Sequence, residues 1–146
     1  MKKIIKGLLC LFLLIGCSSS KQESIDVDLD VYLFYLDTCQ HCQAFKEIAV
    51  PALEEEFKDH ITFHYVNMDF DGNNEIYDLY TDKLEDYHED ERLVPFIVVD
   101  GYFAILMYNE GEEKTLIKDI KAAINGEELS DLFKNERWIF KEEYHA

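Results

Sequence analysis

Apolar and aromatic residues recur along the chain with two different spacings, and each spacing predicts an element. Continuous apolar or aromatic runs with the length and composition of strands occupy residues 30–36, 61–68, 93–100 and 102–108. Spacings of three and four residues, typical of amphipathic helices, occupy residues 40–58, 76–87 and 112–124. The resulting order is strand, helix, strand, helix, strand, strand, helix, which indicates an α/β domain.

Within the helical segments, the apolar positions predict which side of each helix is buried. The predicted stripes are Cys42, Phe45, Ala49, Ala52, Leu53 and Phe57, then Ile76, Leu79, Tyr80, Leu84 and Tyr87, then Leu116, Ile117, Ile120, Ala123 and Ile124. Pro51 removes a backbone donor from the first helix, so we expect it to bend or split that helix. The apolar residues of the tail after residue 126 predict a short helix docked on the body rather than a membrane contact.

The start of the chain predicts export and a lipid anchor. Three lysines precede an uncharged, mostly apolar run that ends at Gly16. The run is too short to span a bilayer, which takes about 20 residues, and it suits a signal peptide over residues 1–16. Its end, the LIGC of residues 14–17, resembles a bacterial lipobox, which implies cleavage before Cys17 and a lipid on Cys17. Residues 17–28 would then be the lipidated cysteine and a tether; a plain signal peptide or an uncleaved anchor is the alternative.

A lipidated protein of this kind is extracytoplasmic and bound to the cell membrane of a bacterium. Cys10 would leave with the signal peptide and Cys17 would carry the lipid, so only Cys39 and Cys42 would remain as thiols. Disulfides persist in such a compartment. A bridge that closes so small a loop constrains the unfolded chain little. The spacing therefore favours a redox pair over a structural disulfide.

The acidic composition limits the classes of molecule that the protein is expected to bind. The chain holds 14 basic and 31 acidic residues, a formal net charge of −17. Removing residues 1–16 takes away three lysines and no acidic residue, which leaves about −20. We expect no nucleic-acid partner, because such binding depends on Lys and Arg contacts to phosphates. An anionic membrane surface would also repel the domain, so the lipid must hold it there, and basic or unfolded proteins are favoured as partners.

Zinc is the main rival explanation for the cysteine pair, because His60 and His64 follow it with a zinc-like spacing. The 17 residues between Cys42 and His60 have a helical pattern. A helix of that length is about 25 Å long at 1.5 Å per residue, whereas zinc lies within about 2.3 Å of its ligands. We therefore expect no metal site and interpret the two histidines as surface or strand residues.

A βαβ half, a ββα half and a CxxC that opens the first helix together resemble the thioredoxin fold. The dipeptide Val94-Pro95 at the start of a later strand adds to the resemblance, because the family has a cis proline beside its cysteines. The resemblance covers residues 29–126 and implies a central mixed four-stranded sheet flanked by helices. Residues 127–146 would be a C-terminal extension packed on this domain.

The position of each cysteine predicts its role. Cys39 would lie at the start of a helix, where unpaired amides and the helix dipole favour a thiolate, and such thiols react with disulfides. Cys42, one turn further, would be shielded and would resolve the mixed disulfide. His41, when protonated, would stabilise the thiolate; the alternative is an exposed spacer. The resemblance implies that Val94 and a cis Pro95 accept an extended client segment.

Details of the motif are similar to the DsbA-like oxidases, although the chain departs from their pattern. Like them it has His before the second cysteine and Phe three residues after it, but Gln40 stands where they usually have Pro. The buried acid that the family keeps six residues before the first cysteine is Leu33 here. This substitution removes the usual proton acceptor for Cys42, for which Asp37 and Glu47 are possible replacements.

The sequence therefore predicts a membrane-anchored extracytoplasmic thiol–disulfide oxidoreductase, similar to small thioredoxin-like lipoproteins of Gram-positive bacteria. Its expected partners are client proteins with cysteines or disulfides and a membrane redox partner, and no cofactor is expected. Oxidation or isomerisation of client disulfides is favoured, and reduction stays open. The alternative is a non-catalytic binding or accessory module for a transport or envelope complex, in which the cysteines form an inert bridge.

Overall fold

The structure is a computed structural model that describes residues 27–146. The predicted signal peptide, Cys17 and residues 18–26 of the predicted tether lie outside these residues. Within them, no helix is both long enough and apolar enough to cross a bilayer.

A mixed five-stranded sheet forms the centre of the described chain. Its strands are Leu29–Tyr35 (β1), Ile61–Asn67 (β2), Phe96–Val99 (β3), Phe103–Leu106 (β4) and Arg137–Ile139 (β5), in the order β2-β1-β3-β4-β5. β1 and β2 are parallel, and the other neighbours are antiparallel. The predicted α/β class is confirmed. The predicted count of four strands is wrong, because the C-terminal tail adds β5 to the free edge of β4.

Helices connect and cover the strands. Their bounds are Gln40–Ala44 (α1), Val50–Phe57 (α2), Asn73–Thr81 (α3) and Glu113–Ile124 (α4), and a π-helical segment, Phe45–Ala49, joins α1 to α2. The predicted effect of Pro51 is observed, because the helix changes its hydrogen-bond register just before this residue. Pro51 lies in the first turn of α2, where the missing N–H is tolerated. α3 ends earlier than predicted.

Two hydrophobic cores lie on opposite faces of the sheet, because successive residues of a strand point to opposite sides. Val31 and Leu33 of β1 pack with the buried residues of the π-helical segment, α2 and α4 on one face. Phe34 lies on the other face, where it packs with α3 and with the tail. β1 is therefore covered on both sides, as expected of a continuous apolar run at the centre of a sheet.

The buried face of α3 matches the predicted stripe only in part. Tyr80 of the predicted stripe is buried as expected, but Ile76 and Leu79 of the same stripe are 36% and 55% exposed, and Tyr77, which the stripe omits, is buried instead. The two tyrosine rings pack edge-on against Phe34 at centroid distances of 5.1 and 6.1 Å. The apolar pattern misplaced this face because it left out Tyr77, whose ring is buried while its hydroxyl finds polar partners.

The C-terminal tail forms a strand where the sequence predicts a short helix. β5 pairs with β4, and Trp138 lies opposite Ala104. Phe133 and Phe140 are buried in the two cores, whereas Leu132 is 52% exposed. A three-residue strand has no periodicity of its own that would distinguish it from a helix.

A buried carboxylate connects α4 to this tail. Asp119 is fully buried and accepts hydrogen bonds from the backbone N–H and the hydroxyl of Ser130, both at 2.8 Å. It also accepts one from Nη1 of Arg137 at 3.0 Å. The carboxylate is thus compensated by an ion pair and two further hydrogen bonds, which a buried charge requires.

Candidate redox site

Cys39 caps the N-terminus of α1, at the end of the loop that follows β1. Its backbone is extended, with φ −84° and ψ 113°, and its N–H donates to the carbonyl of Leu36 at 3.1 Å. The sulfur accepts a hydrogen bond from the N–H of Cys42 at 3.1 Å. A helix N-terminus leaves such N–H groups without partners in the helix, and a sulfur that accepts from them is stabilised as an anion.

The two cysteines form a disulfide, and they differ in exposure. Their Cα atoms are 5.2 Å apart, within the usual disulfide range of about 4.4–6.8 Å. Cys39 is partly exposed, whereas Cys42 is fully buried in the first turn of α1. A partner molecule can therefore reach the first sulfur more readily than the second.

The Val94–Pro95 segment lies beside the exposed sulfur. The peptide bond between these residues is cis, as the resemblance predicts. The Val94 carbonyl oxygen is 3.9 Å from Sγ of Cys39, which brings the two separately predicted parts of the site together. Pro95 is buried, and its carbonyl accepts from the N–H of Met107 at 2.9 Å. Within residues 27–146, the backbone of Val94 makes no hydrogen bond to another backbone group.

His41 is exposed and joins α1 to the loop after β4. Its Nδ1 is 2.9 Å from the carbonyl oxygen of Tyr108. Since a carbonyl only accepts, Nδ1 carries the proton, and in the neutral imidazole Nε2 is left as an acceptor. The Tyr108 ring meets Phe45 edge-on, and its hydroxyl donates to Glu113 at 3.1 Å. The hydrogen bond through Nδ1 therefore ties His41 to the loop after β4.

The carboxylates suggested as replacements for the missing buried acid lie at the surface. Leu33 is fully buried in the core. Asp37 is exposed, and its carboxylate accepts from the side-chain amide of Asn67 at 3.2 Å. Glu47 is exposed on the π-helical segment. Beside Glu47, burial lowers the pKa of Lys46, while the charge of Asp37 acts in the opposite direction.

The two histidines of the zinc hypothesis lie at different distances from the cysteines along the sheet. The β1–β2 register aligns Ile61, the residue after His60, with the start of β1, whereas Cys39 follows the end of β1. Six residues of strand span about 20 Å at 3.3 Å per residue, which separates His60 from the cysteines, whereas His64 lies opposite Tyr32, halfway along β1. His60 and His64 instead meet Asp28 and Asp30 at 3.0 and 2.6 Å. Across residues 27–146, no three His, Cys, Asp or Glu side chains are grouped to hold a metal ion.

Sequence reasoning missed one interaction close to this site. The hydroxyl of Tyr77 donates to the carbonyl of Leu93 at 3.2 Å, next to Val94. The only trace in the sequence is a tyrosine beside the apolar stripe of α3, and nothing there indicates the partner 16 residues away.

Comparisons with known proteins identified no relative of this chain. No protein-family model matches the chain, and searches of curated proteins and of solved structures found no match.

Proposed function

We propose that this chain is a thiol–disulfide oxidoreductase that acts on secreted or surface proteins through Cys39 and Cys42. A lipid on Cys17 would anchor it outside the cytoplasm of a bacterium. The observation that carries the proposal is the asymmetry of the cysteine pair, in which one sulfur is accessible at a helix start and the other is buried. An accessible sulfur can meet a client, whereas a buried one can reach only its neighbour.

The exchange proceeds in two displacements. In the reducing direction, the Cys39 thiolate attacks one sulfur of a client disulfide, and the other client sulfur leaves as a thiolate. The Cys42 thiolate then attacks the Cys39 sulfur, which closes the Cys39–Cys42 bridge and releases the second client thiolate. Two electrons pass to the client, and the reverse sequence oxidises a client dithiol. A membrane redox partner would restore the starting state.

The arrangement of Val94 supports binding of an extended client beside the sulfur. Its backbone groups have no backbone partners among the described residues, and its carbonyl lies next to Cys39. A client segment can hydrogen-bond to such a backbone as an added strand does, which presents its own cysteine to the site.

The thioredoxin-like assignment is part of the proposal and has support in the order of the elements. A βαβ half ends at β2, and a ββα half runs from β3 to α4, with the cysteines at the start of α1. The position of His41 and of the cis Val94–Pro95 bond also agrees with the DsbA-like variant of that family. The hydrogen bond from the helix to the Cys39 sulfur favours a stabilised thiolate and therefore an oxidising pair.

The reduction potential of the Cys39–Cys42 pair tests the proposal and its direction together. We expect the purified protein to equilibrate with glutathione redox buffers and to promote oxidative refolding of a reduced client. A potential near the −120 mV typical of DsbA would indicate an oxidase, and one near about −270 mV a reductase. A disulfide that does not exchange with glutathione, together with no turnover of any protein disulfide, would favour the non-catalytic binding module.

His41→Ala is expected to raise the pKa of Cys39 and to make the pair more reducing, because the cation that favours the thiolate is lost. A change of one pKa unit corresponds to about 1.4 kcal/mol, which equals about 30 mV for this two-electron couple. Thiolate absorbance as a function of pH measures the first effect and glutathione equilibrium the second. His60→Ala is the matched control, since the His60 side chain is also partly exposed but lies at the far end of the sheet. If the two variants have the same Cys39 pKa and the same reduction potential, His41 is only an exposed spacer.

Cys17→Ala is expected to remove the lipid, so that the protein is released into the medium or remains unprocessed. Metabolic labelling with a fatty acid, followed by fractionation of the cells, measures both outcomes. Cys10→Ala is the control, because Cys10 lies in the segment that the signal peptidase would remove. Unchanged labelling of the Cys17 variant would contradict the anchor.

A further inference from the structure

Two tyrosines, Tyr77 and Tyr87, form a hydrogen-bonded chain that reaches the backbone of Leu93, the residue before Val94. The Tyr77 hydroxyl is 3.2 Å from the Leu93 carbonyl oxygen, and the Tyr77 and Tyr87 hydroxyls are 3.0 Å apart. Each phenol has one proton. Since a carbonyl only accepts, Tyr77 donates to Leu93, and Tyr87 must donate to the Tyr77 oxygen. Burial is the main cause that raises the pKa of both phenols, so both protons stay in place at neutral pH.

These bonds leave the carbonyl of Val94 between two anchored neighbours. The preceding carbonyl accepts from Tyr77, and the following one, of Pro95, accepts from the N–H of Met107 at 2.9 Å. Between them, the Val94 oxygen lies 3.9 Å from Sγ of Cys39. The distance from this oxygen to the sulfur therefore depends on the two anchors.

Tyr77 also holds the residue that follows Pro95. Its ring packs on the ring of Phe96 at a centroid distance of 4.9 Å, and Tyr87 contacts the same ring at 5.8 Å. A second link from α3 to the loop is the bidentate ion pair between Arg92 and Asp78, which is solvent-exposed and therefore screened by salt. The Tyr77 hydroxyl is thus the buried polar link between α3 and the loop, and the Arg92–Asp78 pair is the exposed one.

We propose that Tyr77 is a positioning residue, whose hydroxyl fixes the carbonyl of Val94 beside the sulfur of Cys39 and so sets the reactivity of that thiol. The inference rests on the proposed function of the cysteine pair. A carbonyl oxygen carries partial negative charge, so at this distance it disfavours a thiolate on Cys39. Without the hydroxyl, the segment can withdraw from the sulfur and the thiolate becomes easier to form.

The test is the Tyr77→Phe variant, which removes one oxygen and keeps the ring. The full chain is reduced, and the rate of alkylation of Cys39 by iodoacetamide is followed against pH. We expect the midpoint to fall by about half a pH unit, about a threefold change in the ratio of thiolate to thiol, which is the size that one hydrogen bond supports. The other charged or titratable groups near the two sites, Glu89, Asp37 and His41, are the same in every variant and do not account for a difference.

Tyr80→Phe is the matched control, because it also removes a buried hydroxyl from α3. That hydroxyl donates to Asp100 at 3.3 Å and does not touch the segment. Both variants lose a hydrogen bond, so a general loss of stability would affect them alike, whereas only Tyr77→Phe should move the midpoint. An unchanged or raised midpoint in Tyr77→Phe, or an equal fall in Tyr80→Phe, would overturn the proposal.

A second variant covers the case in which Tyr77→Phe does not fold. Tyr87→Phe removes the donor to the Tyr77 oxygen and should lower the midpoint by less; no fall there would overturn the proposal as well. The alkylation test needs no client or redox partner. A wild-type pair that does not exchange with glutathione would therefore refute the proposed function, while the effect of the Tyr77 hydroxyl on Cys39 is still measured.

Discussion

Replacing Cys42 with alanine is expected to leave Cys39 joined to client proteins through stable mixed disulfides. The first displacement needs only the accessible sulfur, and the second needs the buried thiol that the variant lacks. Non-reducing electrophoresis of cells that express the variant would show new bands, which a reductant converts back to the free protein. Turnover of protein disulfides should fall to the level seen without the protein.

Cys39→Ala is the matched control, because it leaves one cysteine in the same motif. Cys42 is fully buried, so we expect no mixed disulfides and the same complete loss of turnover. Equal trapping by the two variants would contradict the assignment of Cys39 as the attacking thiol and Cys42 as the resolving thiol. If the variant that lacks both cysteines still traps clients, the reactive thiol lies elsewhere in the chain. The contrast depends on burial alone, and so it holds for either direction of the reaction.

Much of the candidate site was predictable because its parts are close together along the chain. An apolar run followed by CxxC and a helical stripe places Cys39 after a central strand, and the structure has the same order. The buried stripe of the first helix, which includes Phe45, Leu53 and Phe57, was also predicted. Local periodicity was sufficient to predict these elements, because the buried side of each one can be identified from residues that are close together in sequence.

The errors concern contacts between residues that are distant in sequence. The hydroxyl of Tyr77 and the carbonyl of Leu93 meet only after α3 packs on the sheet. β5 is too short to be recognised by its pattern, and it pairs with β4, from which α4 separates it along the chain. Asp119 was overlooked for a similar reason, because a single acid beside the apolar stripe of a helix resembles a solvated residue until its partners are placed.

Asp119→Ala is expected to cause the largest loss of stability among the predicted variants, about 3–5 kcal/mol in the free energy of unfolding. The cost arises because Arg137, which is only 11% exposed in its side chain, would lose its carboxylate while it stays largely buried. The backbone N–H of Ser130 would also lose its acceptor. Urea unfolding, followed by circular dichroism, measures the loss as a lower midpoint with an unchanged slope.

A control on the same helix separates the effect of burial from the effect of charge. Lys121 pairs with Glu56 and likewise joins α4 to another element, but both side chains are about 40% exposed. Exposed pairs contribute about 0–1 kcal/mol, so Lys121→Ala should have little effect on the midpoint. Equal losses from Asp119→Ala and Lys121→Ala would show that the tail is held by its apolar residues, such as Phe140, and that the buried ion pair contributes no more than a surface one.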